Sequence, residues 1–215
     1  MLLKDNSILE FVCSEAAKLH EGQFRKDGMT PYISHPIAVC DMMTSDGITD
    51  TKLLAVALLH DVIEDTKVTD EQLVDMLSAA FLEYDIIYRA VLDMTNIDKL
   101  YKSLSDAKIN RATKKKLMNE HFARFASPYA IITKIYDRYH NLTDLHTMKA
   151  DDDFKKKYLE ESSNLINALE SGLARCNFAG IILNENWIDA NNMQHLIVRQ
   201  RLDKLKAFIN KLQSK

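Results

Sequence analysis

The chain has 215 residues, 47% of them hydrophobic and 27% charged, with a formal net charge of −3 at pH 7. That is enough apolar material for one sizeable core under a well-solvated surface, and so small a charge excludes a molecule drawn as a whole onto nucleic acid. Only five glycines and three prolines occur, with no proline between Pro36 and Pro128. The turns a sheet-rich fold needs are therefore scarce, and an all-α fold is expected.

In chain order, Ile8, Phe11, Val12, Ala16 and Leu19 share one helical stripe behind a cap at Asn6 or Ser7. Residues 21–36 contain Gly22, Gly28, Pro31 and Pro36 and read as a loop, with a second helix over 37–43 that stops near Gly47. Asp50 or Thr51 caps a third helix whose residues 53–59 are apolar on every side. Such a helix belongs at the centre of a core. It runs directly into His60, Asp61, Glu64 and Asp65. An amphipathic helix starts at Thr69 and another covers 84–94. Residues 95–120, with Lys114, Lys115 and Lys116, are polar with weak periodicity and are expected to form an exposed connection or lid. Helical periodicity returns over 130–145 and 154–173, and one or two more helices follow Gly180. In the last of these, Ile197, Leu202, Leu205, Phe208, Ile209 and Leu212 are helically spaced beside six Lys/Arg and one Asp between 199 and 215. This reads as a packed helix with a solvated basic face, or as a helix that docks on a partner.

Cys13, Cys40 and Cys176 are odd in number and lack metal-type spacing, as reduced thiols of a cytoplasmic protein would. The first eleven residues carry Lys4, Asp5 and Glu10 and do not read as a signal peptide. No run approaches the roughly 18 apolar residues of a membrane span.

The chemistry concentrates at four residues in three places. His60 and Asp61 end an apolar helix, where they are costly unless compensated; a divalent cation accepts neutral imidazole and ionised carboxylate together. Alone, a His-Asp pair at a helix end is more simply a solvated terminus. His35, in the segment Pro31-Tyr32-Ile33-Ser34-His35-Pro36, and Asp137, four residues before Asn141 on one helical face, add a second imidazole and a second carboxylate. Together they suit Mn²⁺, Fe²⁺ or Zn²⁺ with positions open for water and substrate. His20, His121, His140, His146 and His195 read as non-ligands, and His20 and His140 flank the segments that matter.

His35, His60-Asp61 and Asp137 follow the H…HD…D order of the HD phosphohydrolase superfamily. The flanking stretches His20-Glu21-Gly22-Gln23-Phe24-Arg25-Lys26, His60-Asp61-Val62-Ile63-Glu64-Asp65 and Lys134-Ile135-Tyr136-Asp137-Arg138-Tyr139-His140-Asn141 resemble the hydrolase domain of RelA/SpoT-type alarmone enzymes. A chain of this length is similar to the stand-alone small alarmone hydrolases. The resemblance covers roughly residues 8–170 and implies an HD-domain helical bundle, expected over 1–175, while residues 176–215 read as a C-terminal helical extension packed on it. It implies hydrolysis of (p)ppGpp to GDP or GTP and pyrophosphate with a divalent metal, usually Mn²⁺, in the cytoplasm. Carried over residue by residue, His35, His60, Asp61 and Asp137 would hold the metal. Glu64 and Asp65 would orient or deprotonate water, and Arg25, Lys26, Lys134 and Asn141 would face the nucleotide. A homo-oligomer is left open, and no nucleic-acid or membrane partner is expected. Two alternatives are an HD phosphatase acting on NADPH or a nucleoside phosphate, and a nucleotide-binding HD protein without turnover.

Overall fold

The computed structural model describes residues 6–96, 109–146, 151–176 and 190–214. Among these the regular elements are helices: α1 (Ser7–Leu19), α2 (Ser34–Ser45), α3 (Thr51–Leu59), the single turn α4 (Val62–Asp65), α5 (Asp70–Ala80), α6 (Tyr84–Met94), α7 (Arg111–Arg124), α8 (Pro128–Thr143), α9 (Asp152–Arg175) and α10 (Ala190–Gln213). A 3₁₀ turn (Asp144–His146) follows α8, and an isolated antiparallel bridge joins Phe24 to Pro31. The expected all-α fold is the fold observed.

Helix α3 is the axis. The Asp50 carboxylate accepts a hydrogen bond from the Leu53 amide at 3.0 Å and caps it. Leu53 through Leu59 are all at most 2% exposed. Burying a Leu or Val side chain stabilises by about 1.5–3 kcal/mol, so this helix fixes where α1, α2, α6 and α8 pack around it. Helix α8 is the second hub: Pro128 stands in its first turn, Ser127 caps it, and it packs on α2, α3, α6, α9 and α10. On α10, Val198, Leu202, Leu205 and Ile209 are buried. Arg201 grips Asp46, the residue that caps the end of α2, at 2.6 and 2.7 Å, and Asp46 also accepts from the Tyr136 hydroxyl at 2.8 Å.

Two expectations are corrected. The second helix begins at Ser34, so His35 sits in its first turn and not in the preceding loop; Pro36 fits there because the first-turn amides need no intrahelical partner. Within 95–120, residues 111–124 form a packed helix and no exposed connection. Its sequence signal was weak because only Met118 and Phe122 are buried, too narrow a stripe to register as periodicity. Residues 97–108 of that stretch lie outside the described residues, as do 180–189 after Gly180 and the side chains of His146 and His195.

Helices α7, α8 and α9 meet at Gly172, where an added Cβ would lie 2.5 Å from the Phe122 carbonyl oxygen and 2.8 Å from Ile131 Cδ1. Backbone cannot yield as a flexible side chain does. Gly172→Ala is expected to destabilise by about 1–3 kcal/mol, read as a lowered urea midpoint at unchanged slope; an unchanged midpoint would show that these helices separate freely.

Candidate active site

The side chains of His35, His60 and Asp137 each offer a ligand atom within 4.8 Å of the others, and all three residues are buried. His35 comes from the start of α2, His60 from the end of α3, and Asp137 from the middle of α8. Asp61 completes the group: its Oδ2 lies 3.0 Å from His60 Nε2 and 3.9 Å from His35 Nε2. The helix breaks between His60 and Val62, which turns Asp61 toward His60. The four residues singled out as metal ligands are therefore brought together.

Each imidazole is oriented by its other nitrogen. His60 Nδ1 lies 2.8 Å from the Ala57 carbonyl, which can only accept, so Nδ1 carries the proton and Nε2 faces the cluster. That Nε2 is fully buried and makes no aligned hydrogen bond, although Asp137 Oδ1 is 3.7 Å away. A buried ring nitrogen without an aligned partner, facing two carboxylates, is suited to a cation, and the donor set fits a divalent ion. His35 Nδ1 lies 2.8 Å from His140 Nδ1 and its Nε2 lies 3.1 Å from Asp137 Oδ1. His140 thus buttresses His35 without joining the cluster.

Electrostatics follow from the packing. Burial acts against the charged form of His60, yet Asp61 and Asp137 outweigh it and raise its pKa to about 10. Burial likewise opposes charge on Asp61 and Asp137, but His60 holds Asp61 down, and Lys134 with both imidazoles holds Asp137 well below the usual range. Burial lowers the His35 pKa, with Asp137 opposing. Without an ion, one proton therefore occupies the cluster, on His60.

A cavity of about 310 Å³ opens onto Asp61 and Asp137. Glu64 and Asp65 line it beside the ligands. Asn96 donates to the Glu64 carboxylate from its amide side chain and its backbone N–H, and burial raises the Glu64 pKa, with Lys134 opposing. Asp65 accepts from the Tyr32 hydroxyl at 2.8 Å, while the same hydroxyl reaches Asp61 at 2.6 Å. The loop before α2 is a tight hairpin: Gly28 takes φ +75°, and Asp27 accepts from the amides of Met29 and Thr30. It places Arg25 2.8 Å from Asp144 and 3.1 Å from the side-chain Oδ1 of Asn141, and Lys26 over the rings of Phe154 and Tyr158. Asn141 in turn donates to Asp137, and Lys134 pairs with Asp137 Oδ2 at 2.7 Å. All four residues expected to face the nucleotide line this cavity. Lys134 and Asn141 also hold Asp137.

Sequence reasoning missed several lining residues. Tyr32 stood inside a quoted segment but its double contact is visible only in three dimensions. Lys115, Arg138, Tyr158 and Asn96 line the cavity from α7, α8, α9 and the end of α6, and Lys115 fell in the stretch read as exposed.

The HD domain family matches residues 13–169. A guanosine-3′,5′-bis(diphosphate) 3′-pyrophosphohydrolase, MESH1, from Xenopus tropicalis is 34% identical over 143 residues, 66% of this chain and 71% of that protein. Its human counterpart is 37% identical over 133 residues, 61% and 65% of the two chains. A pyrophosphohydrolase of the same name from Haemophilus influenzae is 34% identical over 137 residues, and the match spans 18% of that longer protein. The solved structure of a metazoan SpoT ortholog, described as hydrolysing ppGpp and acting in starvation responses, shares the fold at TM-score 0.65 and 22% identity, over 93% of this chain and 96% of that one.

Because the His60 proton must leave for Nε2 to act as a ligand, Mn²⁺ binding at pH 7 is expected to release about one proton. Calorimetry in buffers of different ionisation enthalpy measures it, and apparent affinity is expected to rise with pH toward 10. Proton-neutral, pH-independent binding would place the ion elsewhere.

Proposed function

This chain belongs to the HD domain family, and on that premise we propose that it is a divalent-metal-dependent (p)ppGpp 3′-pyrophosphohydrolase using Mn²⁺ and working in the cytoplasm. The single observation that carries the reading is the juxtaposition of a His-His-Asp-Asp cluster with Glu64 and Asp65 in one cation-lined cavity. The names of the matched relatives support the choice of substrate, and the three free cysteines support a reducing compartment. No described helix is long and apolar enough to cross a membrane.

In this reading His35, His60, Asp61 and Asp137 hold the ion, which when bound supplies Lewis acidity toward a phosphoryl oxygen and lowers the pKa of water. Glu64, its basicity raised by burial and its position fixed by Asn96, takes the proton of the attacking water. Asp65 shares the Tyr32 hydroxyl with Asp61 and orients that water. Water oxygen bonds to the phosphorus next to the ribose, the phosphorus–O3′ bond breaks, and the 3′ oxygen leaves as a hydroxyl with a proton returned from solvent or Glu64. Arg25 and Lys26 hold the nucleotide. Arg25 can do so bidentately, and its bonds to Asn141 and Asp144 fix its plane.

The purified protein with Mn²⁺ is expected to convert ppGpp to GDP and pyrophosphate. Orthophosphate as sole product, or turnover of NADPH or nucleoside monophosphates without ppGpp, would overturn the substrate assignment. Glu64→Gln is expected to keep ion stoichiometry while losing ~10²–10⁴ in kcat; loss of the ion in that variant would make Glu64 a ligand.

A further inference from the structure

The back of the His-His-Asp-Asp cluster is held by a helix that supplies none of its four side chains. Helix α10 lies beyond residues 13–169, the part of the chain that the HD domain family matches. Its Arg201 is 8% exposed, an uncommon depth for a side chain with a permanent charge. The guanidinium donates twice to Asp46, from Nε at 2.7 Å and from Nη2 at 2.6 Å. Its carbon lies 4.9 Å from the ring centre of Tyr136 and 5.1 Å from that of Tyr139. The Tyr136 hydroxyl closes the group by donating to the same Asp46 oxygen as Arg201 Nε, at 2.8 Å. Burial, with Asp46 beside it, pushes the Tyr136 pKa up, so the hydroxyl keeps its proton. Phe208, two turns after Arg201, packs on Tyr139 with 5.6 Å between ring centres.

These contacts fix how α8 is turned about its own axis. At about 100° per residue, Lys134, Asp137 and Asn141 fall on one face of α8, with Tyr136 and Tyr139 on the opposite face. A rotation that carries Asp137 out of the cluster therefore swings both tyrosines against Arg201. A turn of ~10° would displace a side-chain atom roughly 5 Å from the axis by about 1 Å. Metal coordination distances hold to about ±0.2 Å, so far smaller turns would be felt. Apolar packing tolerates some sliding. A planar guanidinium stacked on two rings and forked onto a carboxylate is far more directional. Asp46 also caps the end of α2, whose first turn carries His35, so the fork ties one helix of the cluster to another.

We infer that Arg201 is a positioning residue for the ion cluster: through Asp46, Tyr136 and Tyr139 it sets the turn of α8, and so how tightly the cluster holds a divalent cation. Helix α10 is on this account part of the frame of the site and not a cover for the core alone. The inference rests on the proposed reading of the cluster as a metal site, and it is independent of the choice of substrate. It places the control of ion affinity on the side of α8 away from the cavity, where no substrate group reaches.

Calorimetric titration of the ion-free protein with Mn²⁺ reads this clamp without any substrate. Arg201→Met keeps an apolar stem against the rings and deletes the fork. It should weaken Mn²⁺ binding about tenfold, the loss usual when a group that supports a metal site from outside is removed. The triple variant Asp46→Leu, Tyr136→Phe, Arg201→Met replaces the whole network with apolar groups and strands no buried charge. Its urea midpoint should stay near wild type, yet its Mn²⁺ binding should also be about tenfold weaker. Tyr136→Phe removes one hydroxyl, should fold in any event, and should lose about threefold in Mn²⁺ affinity. With Mn²⁺ saturating, KM for ppGpp should stay within about threefold of wild type, because Arg25 and Lys26 come from the loop before α2. Wild-type Mn²⁺ affinity in the variants that fold, or a loss that simply follows the urea midpoint, would overturn the clamp. If Mn²⁺ binding responds as described but the wild type leaves ppGpp intact, the clamp stands and the substrate assignment alone falls.

Discussion

Everything at the working end of this molecule depends on the repulsion it has to contain. Asp61 and Asp137 are brought against two buried imidazoles from three separate helices, with ligand atoms of His35, His60 and Asp137 within 4.8 Å. Desolvation opposes every charge in that space. Lys134 and a proton on His60 offset the two carboxylates only in part, leaving His60 Nε2 without an aligned partner. A divalent cation would offset the repulsion and take the place of that proton on His60 Nε2. The fold thus stores the cost of assembling the cluster in the burial of α3, whose seven apolar residues hold His60 in place whether or not the cluster is satisfied.

The supports of the cluster reach outward in two directions. Toward the cavity, Asn141 ties Asp137 to Arg25, and Tyr32 ties Asp61 to Asp65, so the proposed ligands and the proposed substrate-facing groups share hydrogen bonds. Such shared bonds keep ligand orientation and substrate grip from varying independently. Toward the back, Arg201 of α10 and Tyr136 of α8 meet on Asp46, the residue that caps the end of α2. This joins the two helices that carry His35 and Asp137 from the side away from the carboxylates, and it accounts for a buried arginine on a helix that otherwise shows solvent a basic face.

How much of this was legible in the sequence follows the range of the interactions. Helix α3 was plain because its apolar run needs no tertiary context, and Asp50, Thr69 and Ser127 cap their helices through bonds only three residues long. His35, His60, Asp61 and Asp137 were legible because their residue types and order carry chemistry wherever the chain leads them. Helix α7 was illegible: its core contribution is Met118 and Phe122, and the rest of its cavity face is polar because it lines a polar cavity. His140 and Tyr32 were unreadable for a different reason, since their partners lie 105 and 29 residues away. No local pattern marks a contact of that span.

The central claim is that His35, His60, Asp61 and Asp137 hold one divalent ion. Anomalous diffraction from crystals of the Mn²⁺-loaded protein, collected on either side of the manganese edge, tests it most directly. The account predicts one strong peak per chain, about 2.0–2.2 Å from His35 Nε2, His60 Nε2 and oxygens of Asp61 and Asp137, the distances usual for first-row ions on imidazole and carboxylate. A peak outside this cluster, or none at saturating Mn²⁺, would contradict it.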